Sequence, residues 1–152
     1  MFNFSPRKNR KGDNMKFYVA SSFINKEQVR YVSQKLIGFG FSHTYDWTKN
    51  NRASTLAELE EIGTKEKNAV LASDIVIVLL PGGKGSHIEL GLALAGGKNV
   101  FLYSPNDEIN DLSLTSTFYH LPEVEKVIGT LDDLIASICA KYPVISIYNI
   151  KI

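Results

Sequence analysis

The segment that most constrains the fold is an apolar run in the middle of the chain, Asp74-Ile-Val-Ile-Val-Leu-Leu80. After its first residue every side chain is apolar, so the run lacks the alternation of a strand with one face in solvent. A continuous run of this kind is typical of a central parallel strand that helices cover on both faces. The run therefore predicts an α/β fold.

The rest of the chain alternates between strand patterns and helix patterns. The predicted strands are 16–20, 41–47, 74–80, 99–104 and 124–128. The predicted helices are 25–39, one or two helices between 55 and about 73, 87 to about 95, and 131 to about 141. Thr130 is the predicted cap of the last helix, and Asp132 and Asp133 lie in its first turn, where acidic side chains stabilise the dipole. Five strands in series with helices indicate a doubly wound, flavodoxin-like parallel sheet with helices on both faces.

The chain has 152 residues and is 44% hydrophobic, which suits one compact domain. We expect residues 15–152 to form that domain. Residues 1–14 contain four Lys or Arg residues and are expected to be a flexible basic extension. Residues 144–150 alternate weakly, which is consistent with an edge strand or with a segment that packs on a neighbouring subunit.

Composition and charge argue against several classes of partner. A net charge of +1 gives no general case for nucleic acid, although an arm formed by residues 1–14 is an alternative. The apolar runs are shorter than the ~20 residues that span a bilayer, and the N-terminus does not read as a signal peptide, so no membrane role is expected. The single cysteine, Cys139, cannot form an internal disulfide, which favours a cytoplasmic location. We therefore expect a small-molecule partner.

A glycine-rich loop follows the apolar run and leads into a helix, with the sequence Pro81-Gly-Gly-Lys-Gly-Ser-His-Ile-Glu-Leu-Gly91. Glycines such as Gly83 and Gly85 let backbone N–H groups approach a ligand, and the start of a helix favours an anion. The loop is neither a P-loop nor a dinucleotide fingerprint. We expect the active site here, with Glu89 ionised in the first turn of the helix.

Ser86 and Glu89 also have the spacing of a capping box, which gives the same residues a structural interpretation. In a capping box Ser86 accepts a hydrogen bond from the N–H of Glu89, and Glu89 accepts one from the N–H of Ser86. The two roles are compatible, because a helix N-terminus that uses Glu89 as a cap also favours its ionised form.

In a doubly wound sheet the loops that follow the strands meet in one crevice at the carboxyl edge. The side chains expected there beside Glu89 are Tyr18, Ser21, Phe23, Asp46, Trp47 and part of the segment 106–119. Aromatic, hydroxyl and carboxylate groups suit a sugar or a nucleoside, although Tyr18 and Trp47 are also consistent with packing. An ionised glutamate can attack an anomeric carbon and form a glycosyl–enzyme intermediate.

These motifs resemble the nucleoside 2-deoxyribosyltransferase family, which includes the 2′-deoxynucleoside 5′-monophosphate N-hydrolases. The resemblance rests on Tyr18 at the end of the first strand, on the Ala-Ser-Asp turn at 72–74 and on the glycine loop 81–91. It implies that Glu89 attacks C1′ of the 2-deoxyribosyl group and that Tyr18 orients it. Glu66 stands where the family typically has an acidic residue, which implies a role in positioning or proton transfer.

The sequence departs from the family pattern at two positions. Gly83 stands where transferases often carry an aspartate and the monophosphate hydrolases a serine, so Ser86 and the loop N–H groups are the expected substitutes. Asp111, beside Asn110, aligns with an asparagine or serine that reaches in from a neighbouring subunit. A carboxylate there would repel a 5′-phosphate, which favours a nucleoside. The resemblance implies a homodimer or larger assembly with shared sites, and it requires no metal or cofactor.

Three functional hypotheses follow. The first is transfer or hydrolysis at the N-glycosidic bond of a deoxynucleoside, or of its monophosphate, through Glu89. The second is a nucleotide-binding or sensing module without turnover, in which Glu89 serves the helix cap. The third is a TIR-like cleaver of dinucleotides, which also relies on a glutamate.

Overall fold

A computed structural model describes residues 15–143 of the chain. Predictions for the extension 1–14 and for the segment 144–152 lie outside the described residues. The strands are β1 (Lys16–Ser21), β2 (Ser42–His43), β3 (Ile75–Leu79), β4 (Asn99–Ser104) and β5 (Val124–Ile128). The helices are α1 (Lys26–Gly38), α2 (Leu56–Ala72), α3 (Lys84–Ala95) and α4 (Leu131–Lys141). The predicted alternation of strands and helices is confirmed.

The strands form one parallel sheet in the order β2-β1-β3-β4-β5. The chain winds from β1 to β2 on one side and from β3 to β5 on the other, so the winding direction reverses between β1 and β3. Ser21 at the end of β1 is in register with Leu79 at the end of β3. The carboxyl ends of these two strands are therefore adjacent at the switch point of a flavodoxin-like sheet, where such folds bind ligands.

The core lies on both faces of this sheet. Every residue of β3 is buried, as its continuous apolar pattern predicts. Helix α1 packs with α4 and helix α2 packs with α3, and these two pairs cover the two faces. Within residues 15–143, none of the helices has the length and apolarity that crossing a bilayer requires.

The second strand is much shorter than the predicted 41–47. It comprises only Ser42–His43, and Trp47 instead opens a short 3-10 helix. The Trp47 indole N–H donates to the carbonyl oxygen of Val19 in β1 at 2.7 Å, and the Asp46 side chain accepts from the N–H of Thr48. These contacts turn the chain away from the sheet edge. The patterns between 55 and 73 belong to the single helix α2.

Helix α3 begins at Lys84, three residues before the predicted start at 87. Gly83 is its N-cap, and the Ser86 hydroxyl folds back to accept from the Gly83 N–H at 2.6 Å and to donate to the Gly83 carbonyl at 2.9 Å. A Cβ on Gly82 would lie 2.5 Å from the Ser86 Oγ, so a glycine at 82 permits this close approach. The predicted capping box of Ser86 and Glu89 is therefore wrong. Glu89 lies in the second turn, and its carboxyl caps no helix within residues 15–143.

Candidate active site

Glu89 projects from the second turn of α3 into the interior. Its residue is 6% exposed, and its Oε2 atom is buried without a hydrogen-bond partner among the described residues. Gly85 lies one turn earlier on the same face, where a Cβ would stand 3.9 Å from the Glu89 Oε1. A buried carboxylate oxygen without a partner is costly, and a native structure tolerates few of them. This oxygen is thus a chemically distinctive feature of the site.

Tyr18 and Glu66 lie beside Glu89. Tyr18 is a fully buried residue of β1, and Glu66 is half-buried on α2. The Tyr18 hydroxyl donates to the Glu66 Oε2 at 3.5 Å and also interacts with the Glu89 carboxyl. The fold thus brings the three predicted catalytic residues, which belong to three different elements, into one cluster.

Burial determines the protonation of this cluster. Loss of solvent raises the pKa of Glu89 to about 8; the Tyr18 hydrogen bond opposes this, and the Glu66 charge adds to it. Burial also raises the pKa of Glu66, against the hydrogen bonds from Tyr18 and Glu89. Burial and the two carboxyl groups raise the pKa of the Tyr18 hydroxyl. The expectation that the helix start holds Glu89 ionised is therefore wrong, because the dipole weakens beyond the first turn and desolvation dominates.

The end of β1 is fastened to the glycine loop by two side chains. The Ser21 hydroxyl donates to the carbonyl of Leu79 at 2.8 Å and accepts from the Asn25 Nδ2 at 3.0 Å. Asn25 also donates to the carbonyl of Pro81 at 2.8 Å. Asn25 lies at the predicted start of the first helix, but its side chain does not cap α1. The Ser21 hydroxyl, predicted to face substrate, is engaged in holding the two strands together.

Two aromatic residues follow at the edge of this region. Phe23 is 51% exposed, and its ring centroid lies 6.2 Å from that of Trp47. Trp47 is buried and its indole N–H is bonded to Val19, so it supports the strand end from the interior. Of the two predicted substrate contacts, Phe23 is the one with a surface available to a ligand.

The glycine loop satisfies many of its own polar groups. The Gly83 N–H and the buried Ser86 hydroxyl bond each other, although the sequence assigned both to substrate. The Gly83 carbonyl also accepts from the His87 backbone N–H at 3.2 Å and contacts the His87 Nδ1 at 2.7 Å. A Cβ built on Gly83 meets no atom within 4 Å, so this position faces open space.

The long segment 106–122 carries the remaining predicted residue, Asp111. Its exposed carboxylate accepts from the N–H of Ser113 at 2.8 Å and from the Ser113 hydroxyl at 2.6 Å, and these bonds lower its pKa. Asp111 therefore stabilises its own turn. Farther along, Tyr119 contacts His87, a link that no local sequence pattern indicates.

Glu89 lines neither of two cavities found among residues 15–143. One of about 190 Å³ opens between the glycine loop and the segment 105–119, with His87 and Tyr119 in its wall. Another of about 500 Å³ lies beside β2 and the end of α2 and includes Lys16 and His43. Within residues 15–143 no group of three His, Cys, Asp or Glu side chains is arranged to bind a metal. The buried carboxyl cluster, rather than cavity size, identifies the candidate site.

No protein-family model matches this chain, and no curated protein matches it in sequence. Solved structures do match. A 2-deoxyribosyltransferase from Bacillus psychrosaccharolyticus has a TM-score of 0.60 at 22% identity, over 85% of this chain and 96% of that one. A CMP N-glycosidase from Clostridium botulinum has a TM-score of 0.56 at 20% identity, over 82% and 98%. A conserved protein from Enterococcus faecalis V583 has a TM-score of 0.55 at 20% identity, over 84% and 99%.

Each of these three structures matches this chain in fold over 82% to 85% of its length. The flavodoxin-like fold implied by the resemblance to nucleoside 2-deoxyribosyltransferases is thereby confirmed. The chain shares its fold with an N-glycosidase and with a 2-deoxyribosyltransferase.

Proposed function

We propose that this protein cleaves the N-glycosidic bond of a deoxynucleoside with Glu89 as the nucleophile, and passes the 2-deoxyribosyl group to water or to a second base. The observation that carries the proposal is the buried Glu89 carboxyl, which has one unpartnered oxygen and lies beside Tyr18 and Glu66. Two structures with the same fold are named for N-glycosidase and deoxyribosyltransferase activity, which supports the same class of reaction.

The first step requires an ionised Glu89. One carboxylate oxygen forms a bond to C1′ while the C1′–N bond breaks, and its electron pair leaves with the base. Water supplies the proton that the departing base needs, and Glu66, beside Tyr18 and Glu89, positions that water. Tyr18 holds the Glu89 carboxyl in orientation through its hydroxyl. In the second step water or a new base attacks C1′, which releases the carboxylate and gives a proton back to water.

The glycine loop bears on which substrate is used. Gly83 provides no side chain where the family pattern has aspartate or serine, and the space before it is open. Asp111 would bring a negative charge to a site completed by a second copy of the chain. Three exposed apolar side chains in the same segment, Leu112, Leu114 and Phe118, suit contact with that copy. We infer a homodimer or larger assembly and a preference for deoxynucleosides over their 5′-monophosphates.

A nucleotide-binding module without turnover is the second candidate. It is favoured by the internal bonding of the loop, since the Gly83 N–H and the Ser86 hydroxyl are both occupied. In this version Glu89 is a buried binding group rather than the helix cap that the sequence suggested.

A panel of deoxynucleosides and their monophosphates, with and without a second free base, tests the proposal by chromatography of released and exchanged bases. Base exchange indicates a transferase, and release alone indicates a hydrolase. Binding of substrate without either reaction supports the sensing module and contradicts the enzyme. Glu60→Gln is a matched control for Glu89→Gln. Both substitutions remove one negative charge, but Glu60 is exposed on α2.

A further inference from the structure

His87 links the glycine loop to the long segment 106–122. Its Nδ1 lies 2.7 Å from the Gly83 carbonyl oxygen, and its Nε2 lies 2.6 Å from the Tyr119 hydroxyl. The imidazole and phenol rings also stack, with centroids 5.9 Å apart. One side chain thus joins the N-cap of α3 to a segment that begins after β4.

The chemistry of the partners fixes the direction of these bonds. A carbonyl only accepts, so the Nδ1 carries a hydrogen and donates to Gly83. In the neutral ring the Nε2 then accepts from the Tyr119 hydroxyl, and in the charged ring it donates to the same oxygen. The link is therefore retained in both protonation states of His87.

The segment at the other end of the link is itself ordered by hydrogen bonds. Tyr119 is 7% exposed and belongs to the 3-10 turn Thr117–His120. The next residue, His120, lies 3.0 Å from the Ile109 carbonyl oxygen and 2.8 Å from the Thr115 hydroxyl through its Nε2. Tyr119 is consequently a fixed anchor for the glycine loop.

The glycine loop is shaped to receive the imidazole. A Cβ on Gly82 would stand 3.2 Å from the His87 Cε1 as well as 2.5 Å from the Ser86 Oγ. Gly82 therefore allows the ring and the hydroxyl to lie against the loop backbone.

We propose that His87 and Tyr119 are positioning residues that hold the glycine loop in its substrate-binding conformation and thereby set KM. The inference rests on the proposed function. Tyr18 and Glu66 come from β1 and α2, and Glu89 lies in the second turn of α3, whereas the His87–Tyr119 link lies on the β4 side of the loop. Loss of the link should weaken binding and leave the chemical step intact.

Tyr119→Phe tests this, because it removes one hydroxyl and keeps the ring. We expect KM to rise about five- to tenfold, the effect of one lost hydrogen bond, with kcat within about twofold of the original. Amide hydrogen exchange in peptides covering 81–91 should become faster. His87→Gln removes the imidazole that contacts both Gly83 and Tyr119. It should also raise KM and make amide exchange in 81–91 faster.

Tyr103→Phe is the matched control. Tyr103 is also 7% exposed, and its hydroxyl donates to the Gly129 carbonyl at 2.9 Å, between β4 and α4. It should leave KM and the exchange of 81–91 unchanged. An unchanged KM with unchanged exchange in Tyr119→Phe overturns the proposal, as does a fall in kcat alone or an equal effect of Tyr103→Phe. If the original protein releases no base, the proposed function fails, and the exchange comparison still decides whether the link holds the loop.

Discussion

The starts of α3 and α4 contain the same spacing of a hydroxyl residue and a carboxylate, but the two helices use it differently. In α4 the Asp133 N–H donates to the Thr130 hydroxyl at 3.1 Å, and Asp133 accepts from the Thr130 N–H at 2.8 Å. In α3 the Ser86 hydroxyl bonds Gly83 instead, and Glu89 is left without a capping partner. The same spacing thus forms a capping box in α4, whereas in α3 it leaves the Glu89 carboxyl buried in the interior.

The electrostatic consequences are opposite. Hydrogen bonds from Thr130 lower the pKa of the exposed Asp133, whereas burial raises the pKa of Glu89 to about 8. The surroundings of Asp133 stabilise its ionised form, whereas burial destabilises the ionised form of Glu89. Strong perturbation of a buried carboxyl beside other titratable groups is a property of functional sites.

Glu89→Gln should have the largest effect. We expect base release to fall by at least about 10³-fold, because the amide cannot attack C1′. Initial rates on the best deoxynucleoside measure the loss. Glu60→Gln should retain full activity. If Glu89→Gln retains a substantial rate, the nucleophile is another group.

Tyr18→Phe should lower kcat by roughly 10- to 100-fold, because the Glu89 carboxyl loses the hydroxyl that orients it. Steady-state kinetics with folding checked by circular dichroism would show the effect. Tyr31→Phe is the matched control, since the Tyr31 hydroxyl bonds the Asp132 carboxylate at 2.6 Å on the surface between α1 and α4. Equal losses in both variants would argue against a special role for Tyr18.

Glu66→Gln should shift the pH dependence of activity. Glu66 raises the pKa of Glu89. Because the pH dependence of kcat/KM reports the ionisation of groups in the free enzyme, it should reveal this effect. The rising limb of kcat/KM is expected near pH 8 in the original protein, where Glu89 loses its proton. In Glu66→Gln the limb should move to lower pH, because the neutral amide no longer raises the pKa of Glu89. A limb that stays in place would mean that Glu66 does not influence Glu89.

Thermal stability should depend on pH with opposite signs at the two helix starts. The folded-state pKa of Glu89 is raised, so its contribution is fully favourable below its usual pKa and is lost as pH rises through about 8. The folded-state pKa of Asp133 is lowered, so its contribution is present above its usual pKa and is lost as pH falls through the folded value. Between pH 6 and 9 the Tm of the original protein should therefore fall relative to that of Glu89→Gln. Parallel Tm curves would contradict the raised pKa.

Changes to the caps should be the smallest. Thr130→Ala should cost about 1 kcal/mol of the free energy of unfolding. Gly83→Ser should increase the free energy of unfolding by about a few tenths of a kcal/mol, because the new side chain has room and can cap α3. Denaturant unfolding measures both. Thr130→Ala should leave kcat and KM unaltered, and a catalytic defect in it would break the contrast between the helices.

The fold was predictable because its strongest signals are local. The continuous apolar run before the glycine loop identified β3, and the strands 99–104 and 124–128 were predicted at the observed bounds. The errors arose where distant contacts decide. The start of α3 depends on Gly82, which has no Cβ and lets the Ser86 hydroxyl approach the loop backbone. Strand β2 is short, and the chain after it is held by the hydrogen bond from the Trp47 indole to the Val19 carbonyl.

The candidate site divides in the same way. Glu89, Tyr18 and Glu66 were named from motif and resemblance, and the fold brings them together. The protonation of Glu89 was mispredicted because burial depends on tertiary packing. Asn25 and the His87–Tyr119 link were missed, because each joins segments far apart in the chain.

The most direct test of the account is to look for the covalent intermediate. A deoxynucleoside is mixed with excess enzyme above pH 8, the reaction is stopped with acid within one turnover, and peptides are examined by mass spectrometry. The account predicts a 2-deoxyribosyl group attached to Glu89 that disappears on chase with a free base or water, and no attachment in Glu89→Gln. Base release without any modification of Glu89, or modification that persists in Glu89→Gln, would contradict it.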